Sequence, residues 1–228
     1  MRHLGLLLPV LAGCTDVPEP FDLDHARIMA VRIEPPSLEA NATATIDVLV
    51  TDSSVMPRVA DPDAVTVRLS AEAAAFARYL ARTPQGWQLT APDAATLAEN
   101  RVAAGLAPDA AVPVPLELEV LTLDGPLAAS KLVLLGPAAI NPPTPTILVD
   151  GIAGELAMRA GTESLLTVEQ PDATYRYRWF SSAGDLVGFT RAEATIKPAE
   201  VEQGLIGVVV RDSAGGTAWS LSTITVAR

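Results

Sequence analysis

Apolar and polar residues alternate in several short stretches of this chain, and the clearest stretch lies near its start. Between positions 44 and 51, alanine, isoleucine and valine fill every second position, and threonine and aspartate fill most of the others. A period of two is typical of a β-strand that buries one face. The alternation returns at 65–69, and residues 27–34 are rich in isoleucine and valine up to Pro35 and Pro36. Proline cannot continue a central ladder, so we predict a strand that ends there.

A hairpin is predicted around the pair Asp124 and Gly125. The pair separates two apolar runs, 116–123 and 127–135, and its residues tolerate the positive φ of a type I′ turn. Glutamates at alternate positions of the first run predict a strand with one face in water.

Two alanine-rich segments between these strands, 71–82 and 93–104, carry apolar residues at helical spacing. The first ends before Pro84 and the second before Gly105, which is where helices commonly end. We therefore predict two short helices within an insertion at about 70–110. Binding residues are often carried on such connecting segments, so this insertion is the first candidate for a binding site in the first domain.

A proline-rich segment, 139–145, predicts a semi-rigid linker with the domain break close to Asn141. The chain beyond it contains short apolar segments at regular spacing with turn residues between them, which is typical of a β-sandwich. The predicted strands are 147–149, 155–159, 164–169, 175–180, 194–196, 205–211 and 217–226.

Residues 177–184, Tyr-Arg-Trp-Phe-Ser-Ser-Ala-Gly, resemble the third strand and following turn of bacterial immunoglobulin-like or PKD-like domains. That family buries the tryptophan, here Trp179. Leu166 and Val208 stand at the places of the family's two cysteines, and Ile206 stands at the place of its tyrosine. The resemblance implies that these four residues form the core of a disulfide-free sandwich.

The first domain looks like the same type of domain, since Glu34-Pro35-Pro36 followed by a strand at 44–52 is similar to its opening. The predicted fold is therefore all-β, with two immunoglobulin-like β-sandwich domains at 26–138 and 146–228. The first domain carries the short helical and loop insertion.

The N-terminal segment has another character. A basic start and a short apolar stretch lead to Leu11, Ala12, Gly13 and Cys14, which is the only cysteine. The stretch is much shorter than the roughly 20 residues that span a bilayer. The segment resembles a bacterial lipoprotein signal and its lipobox. The other interpretation is a buried cysteine that follows a short apolar strand.

The lipoprotein resemblance implies that residues 1–13 are a cleaved signal peptide and that Cys14 carries acyl chains such as palmitate. Residues 14–25 would then be an acidic tether. Thr15 stands where an aspartate would retain such proteins in the inner membrane. The implied location is the cell envelope, anchored to the outer membrane at its periplasmic or surface face.

The composition excludes some partners and most chemistry. A net charge of −11 argues against a nucleic-acid partner. Two histidines and one cysteine are too few for a structural zinc site, and His25 lies in the predicted tether. We predict no enzyme activity, no catalytic residues, no metal and no cofactor. Calcium binding is an alternative for aspartates in predicted loops, although such residues are usually solvated: Asp22, Asp24, Asp61, Asp63 and Asp212.

The function that follows is a noncatalytic, membrane-anchored envelope lipoprotein. Its immunoglobulin-like domains would present surfaces to a protein or glycan partner or act as a structural spacer, and its acyl chains would hold it in the membrane. The alternative is an accessory carbohydrate-binding or hydrolytic lipoprotein with its site in the 70–110 insertion. Trp87 and Trp219 could serve that alternative as exposed sugar-stacking platforms, or they could be packed.

Overall fold

The computed structural model describes residues 23, 25–52, 55–154, 156–200 and 203–228. They form one α-helix, α1 (Ala94–Ala103), 3₁₀ segments at Pro62–Ala64 and Ala71–Tyr79, and seventeen strands. The strands are β1 (Arg27–Glu34), β2 (Ser37–Leu38), β3 (Thr43–Asp52), β4 (Val55–Val59), β5 (Val65–Leu69), β6 (Leu80–Thr83), β7 (Gly86–Thr90), β8 (Val112–Thr122), β9 (Gly125–Leu135), β10 (Ile147–Val149), β11 (Leu156–Arg159), β12 (Ser164–Val168), β13 (Arg176–Ser181), β14 (Gly184–Val187), β15 (Glu193–Pro198), β16 (Gln203–Arg211) and β17 (Thr217–Ala227).

The strands form four sheets, two in each domain. Sheet 1 has the order β1-β3-β7-β6 with β4 also on β3, and sheet 2 has the order β2-β9-β8-β5. Sheet 3 has the order β10-β12-β15-β14, and sheet 4 has the order β11-β17-β16-β13. The two domains therefore repeat one strand order, including a short parallel pair, β2 with β9 and β11 with β17. This is the two-sheet arrangement of an immunoglobulin-like sandwich, which confirms the predicted fold class.

The insertion differs in part from the prediction. Asp93 caps α1 by accepting a hydrogen bond from the Thr96 amide at 2.7 Å, so a helix begins close to its predicted start. The other predicted helix is a 3₁₀ segment that ends at Tyr79. Residues 80–82 were expected in that helix, but they form β6, which pairs with β7 across a tight turn. Because β7 also pairs with β3, the β6–β7 hairpin is joined to sheet 1 by backbone hydrogen bonds. A helix over residues 80–82 would not make these bonds.

Three apolar clusters hold the described residues together. One fills the space between sheets 1 and 2, and another fills the space between sheets 3 and 4. The third lies outside both sandwiches and combines residues of β1 and β3 with residues of β13, β16 and β17. The two domains therefore contact each other through the outer faces of sheets 1 and 4.

Candidate functional site at the junction of the two domains

The centre of the contact between the domains is apolar and closed to solvent. It consists of six side chains that are at most 8% exposed, and we call them the junction cluster: Ala30, Leu49, Phe180, Leu205, Val209 and Trp219. Leu23, Met29 and Leu221 pack against it. Removing this much apolar surface from water stabilises the association of the two domains.

Neighbouring residues of one strand serve the two faces of sheet 4. Trp179 points into the core of the second domain and Phe180 points out into the junction cluster, and both are 0% exposed. The opposite directions follow from the alternation of side chains along a strand. Gly207 lies beside Phe180 on β16, and a Cβ at this position would overlap the phenyl ring. The glycine therefore makes room for the ring against the sheet.

Asn141 connects the two domains by hydrogen bonds. Its side-chain Nδ2 donates to the carbonyl oxygen of Ile33 at 2.8 Å and to Oε2 of Glu34 at 2.6 Å. Its Oδ1 accepts from the amide of Thr217, 2.7 Å away, at the start of β17. The residue at the predicted domain break thus fixes the end of β1 against the second domain.

Cationic side chains surround the junction cluster. The guanidinium of Arg32 lies 4.5 Å from the ring centroid of Trp219 and pairs with Asp47 at 2.7 Å. Arg211 donates from Nη2 to the carbonyl oxygen of Met29 at 2.9 Å. A cation over an aromatic face and a charged donor on a carbonyl both favour the docked arrangement.

Lys131 reaches from β9 to the second domain, where its Nζ donates to the carbonyl oxygen of Gly215 at 2.6 Å. Burial lowers the pKa of Lys131, the positive charge of Arg211 lowers it further, and Asp212 acts in the opposite direction. Burial also lowers the pKa of Arg211, with a further contribution from the charge of Arg178. Lys131, Arg211 and Arg178 are therefore near neighbours along one side of the junction, with Asp212 beside Lys131.

The four residues predicted for the core of the second domain lie in one cluster. Leu166, Trp179, Ile206 and Val208 are each 0% exposed. Trp179 is opposite Val208 in the β13–β16 ladder, and its indole Nε1 donates to the carbonyl oxygen of Arg191 at 2.9 Å. The indole is thus buried with its polar atom satisfied.

The insertion does not gather exposed aromatic side chains. Phe76 is buried, and Tyr79 packs against the core of the first domain. Trp87 is half-buried, and its Nε1 donates to the carbonyl oxygen of Val65 at 2.7 Å. With Trp219 in the junction cluster, both candidate sugar platforms are packed.

The aspartates considered for calcium serve local structure where they are described. Asp61 accepts from the Asp63 amide at 2.8 Å, and Asp63 pairs with Arg82. Asp212 accepts from the Gly216 amide at 2.7 Å. Within the described ranges, no three His, Cys, Asp or Glu side chains come together as a metal site would require.

Several predicted features lie outside the described residues. They are the signal peptide, the lipobox residues Leu11, Ala12 and Gly13, the lipidation site Cys14, most of the acidic tether, and the aspartates Asp22 and Asp24. In the part of the chain that is described, no helix combines the length and apolar character needed to cross a membrane.

Comparison with known proteins adds little beyond the strand order. No protein-family model matches the chain, and no curated protein matches it significantly. Tandem Ig repeats of Dlar align with 16% identity over 89% of this chain and 97% of that chain, with a TM-score of 0.33. Fibronectin(III)-like modules of Clostridium thermocellum CbhA align with 13% identity over 88% and 92%, with a TM-score of 0.29.

A nucleoside hydrolase-related hypothetical protein from Saccharophagus degradans aligns with 18% identity and a TM-score of 0.28. That match covers 39% of this chain and 26% of the other chain. Because all three TM-scores are low, the fold assignment rests on the strand order, and no functional argument rests on these similarities.

Proposed function

We propose that the protein is a noncatalytic, lipid-anchored envelope protein whose two immunoglobulin-like domains act as one rigid unit. In this proposal the acyl chains on Cys14 hold the unit at the outer membrane, and residues 14–25 are the tether. The rigid unit presents its free loops and sheet faces to a protein or glycan partner, or it sets a fixed spacing in the envelope.

The junction cluster is the observation that supports this role most strongly. Contacts between domains of one chain are ordinarily small and polar and permit relative motion. Here the contact contains Phe180 and Trp219 and is reinforced by three hydrogen bonds of Asn141. A fixed orientation between two sandwiches suits a presenting or spacing role, because no catalytic cleft has to open and close.

The alternative is a carbohydrate-binding or hydrolytic site in the 70–110 insertion, where a cavity of about 310 Å³ beside α1 is lined by Glu39 and Asp109 among others, but the aromatic side chains there do not favour it. Its three aromatic side chains, Phe76, Tyr79 and Trp87, pack against the body of the domain. Sugars commonly stack on exposed aromatic faces, and a two-acid glycosidase needs facing carboxylates in a cleft. Activity screens with glycan, peptidoglycan, ester and peptide substrates are expected to be blank.

Membrane fractionation tests the anchor. Cys14→Ser removes the acylated sulfur and should move the protein from the membrane pellet to the soluble fraction. Thr15→Asp is the matched control, since it keeps the acyl chains and should shift the protein from the outer to the inner membrane. Wild-type protein without acyl mass that still pellets after a carbonate wash would contradict the anchor.

A further inference from the structure

A cavity of about 200 Å³ opens at the edge of the domain junction. Its lining consists of Arg27, Ile28, Met29, Arg178 and Arg211, and we call it the arginine pocket. Residues from the start of β1 form one side, and β13 and β16 of the second domain form the other side. The pocket therefore exists only when the two domains are docked.

Two of these arginines have donor groups in excess of their protein acceptors. A guanidinium carries five N–H donors. Arg211 uses one of them, on the carbonyl oxygen of Met29, and Arg178 makes a ring contact with Phe189 at 5.5 Å. The ion pairs among the described residues involve neither Arg178 nor Arg211. The pocket therefore presents unused charged donors.

Sheet 4 places like charges side by side in the pocket and next to it. Arg176 stands directly opposite Arg211 in the β13–β16 ladder, and Arg178 lies two residues further along the same face. Like charges at opposing positions of a sheet repel each other and destabilise it. Arg178 also acts on Arg211, whose pKa is lowered first by burial and then by the Arg178 charge. A bound anion would offset the repulsion between these guanidinium groups.

The rest of the chain makes this concentration of positive charge unusual. The protein has 27 acidic and 16 basic residues and a net charge of −11. One contact of Arg211, on the carbonyl oxygen of Met29, serves the docking of the domains, and it leaves Arg178 and the other donors of Arg211 without a structural role in the junction. Guanidinium groups are the side chains that proteins favour for recognition of phosphate and carboxylate groups.

We propose that the arginine pocket binds a phosphate-type oxyanion. Guanidinium groups match the planar pairs of oxygen atoms on a phosphate and bind them through two parallel hydrogen bonds. Arg178 and Arg211 supply the donors from the second domain, and the β1 residues close the other side. The same chemistry would recognise free phosphate and the phosphate group of a lipid. The site is formed by the docked domains and does not depend on Cys14.

Calorimetric titration with inorganic phosphate tests the site in the full chain carrying Cys14→Ser, at constant ionic strength and neutral pH. We expect one phosphate per chain. Arg178→Gln should weaken binding about tenfold, the loss expected for one charge-assisted contact. Arg178 makes no hydrogen bond to the described residues, so its replacement should leave the junction closed. The matched control is Arg159→Gln, which removes an exposed cation of the same domain and should leave phosphate binding unchanged.

Vesicle sedimentation distinguishes the two sources of phosphate. Phosphatidylcholine vesicles that contain phosphatidic acid are compared with phosphatidylcholine vesicles alone. Arg178-dependent sedimentation with the first kind identifies a lipid headgroup, whereas phosphate binding without sedimentation identifies a free phosphate group. Absence of Arg178-dependent binding in both experiments would overturn the proposal, as would an equal loss in Arg159→Gln.

Discussion

The outer faces of sheets 2 and 4 occupy the same position in the two sandwiches, yet one is exposed and the other is covered. On β8 of sheet 2, buried and exposed positions alternate, and Glu117 and Glu119 point into water. On β16 of sheet 4, every residue from Gly204 to Val210 is buried. One strand order therefore supports a free surface in the first domain and a docking surface in the second.

The sequence pattern accounts for the difference. A strand with one wet face alternates, whereas a strand covered on both faces is continuously apolar. Residues 116–120 read Leu-Glu-Leu-Glu-Val, and residues 205–210 read Leu-Ile-Gly-Val-Val-Val. The second run can be apolar throughout because both faces of its strand are buried. Ile206, Val208 and Val210 lie in the core of the second domain, and Leu205 and Val209 lie in the junction cluster.

The largest expected effect comes from the inner face of sheet 4. Trp179→Ala should lower the free energy of unfolding of the second domain by about 3–5 kcal/mol, because it leaves a cavity in a core with no solvent access. Urea denaturation followed by circular dichroism measures it. Val187→Ala, at a side chain that is 72% exposed, serves as the control. A loss below about 1 kcal/mol, the size of an average substitution, would refute the role of Trp179 in the core.

The outer face of the same strand should respond differently. Phe180→Ala is expected to lower the free energy of unfolding by about 1.5–3 kcal/mol, which is the contribution of one buried phenylalanine. The core of the second domain should stay intact. Hydrogen exchange followed by mass spectrometry should show faster exchange in β1 and β17. Leu132→Ala is the counterpart on the outer face of sheet 2, where the side chain is 50% exposed, and it should change neither quantity. Equal effects of the two substitutions would remove the distinction between the faces.

Much of this contrast could be predicted from the sequence, and some could not. Alternation predicted the wet face at Glu117 and Glu119, and the immunoglobulin-like resemblance placed Trp179 in a core. The junction was missed, although the unbroken run at 205–210 was a visible signal of a strand covered on both faces. The identity of the covering surface depends on long-range contacts, such as Leu49 with the second domain, which no local pattern encodes.

Other differences have local causes. Gly184 was expected in a turn but begins β14, which pairs with β15. Residues 80–82 continue the helical spacing of apolar residues, but they form a strand because they pair with β7. The arginine pocket could not be predicted, because Arg27 is about 150 residues away from Arg178 along the chain and only docking brings them together. The same holds for the partners of Asn141.

Asn141 should have a smaller effect than Phe180 within the same junction. Asn141→Ala removes three hydrogen bonds and leaves the buried Thr217 amide without its acceptor. The free energy of unfolding should fall by about 1–3 kcal/mol. Asn141→Asp keeps the acceptor for Thr217 but replaces both donated bonds by repulsion against Glu34 and the Ile33 carbonyl oxygen, so it should weaken the junction at the end of β1 while the Thr217 contact is kept. Protection of the Thr217 amide, measured by NMR hydrogen exchange, should fall in the alanine variant. Unchanged protection would mean that Asn141 does not secure the junction.

The free face should tolerate change. Glu119→Ala removes an exposed charge on sheet 2 and should alter the free energy of unfolding by no more than about 0.5 kcal/mol. Thermal unfolding at low and high salt is the measurement, with Glu117→Ala as the matched neighbour. A loss of several kcal/mol would show that this face is covered as well, and the contrast with sheet 4 would fail.

The distance between spin labels tests the docked arrangement most directly. Cysteines replace Leu121 in the first domain and Val187 in the second, both strongly exposed, in a chain that carries Cys14→Ser. Double electron–electron resonance should give one narrow distance distribution. The same labels with Phe180→Ala should give a broad distribution. A broad distribution without Phe180→Ala would contradict the account, because it would show that the domains move independently and that the outer face of sheet 4 is not held covered.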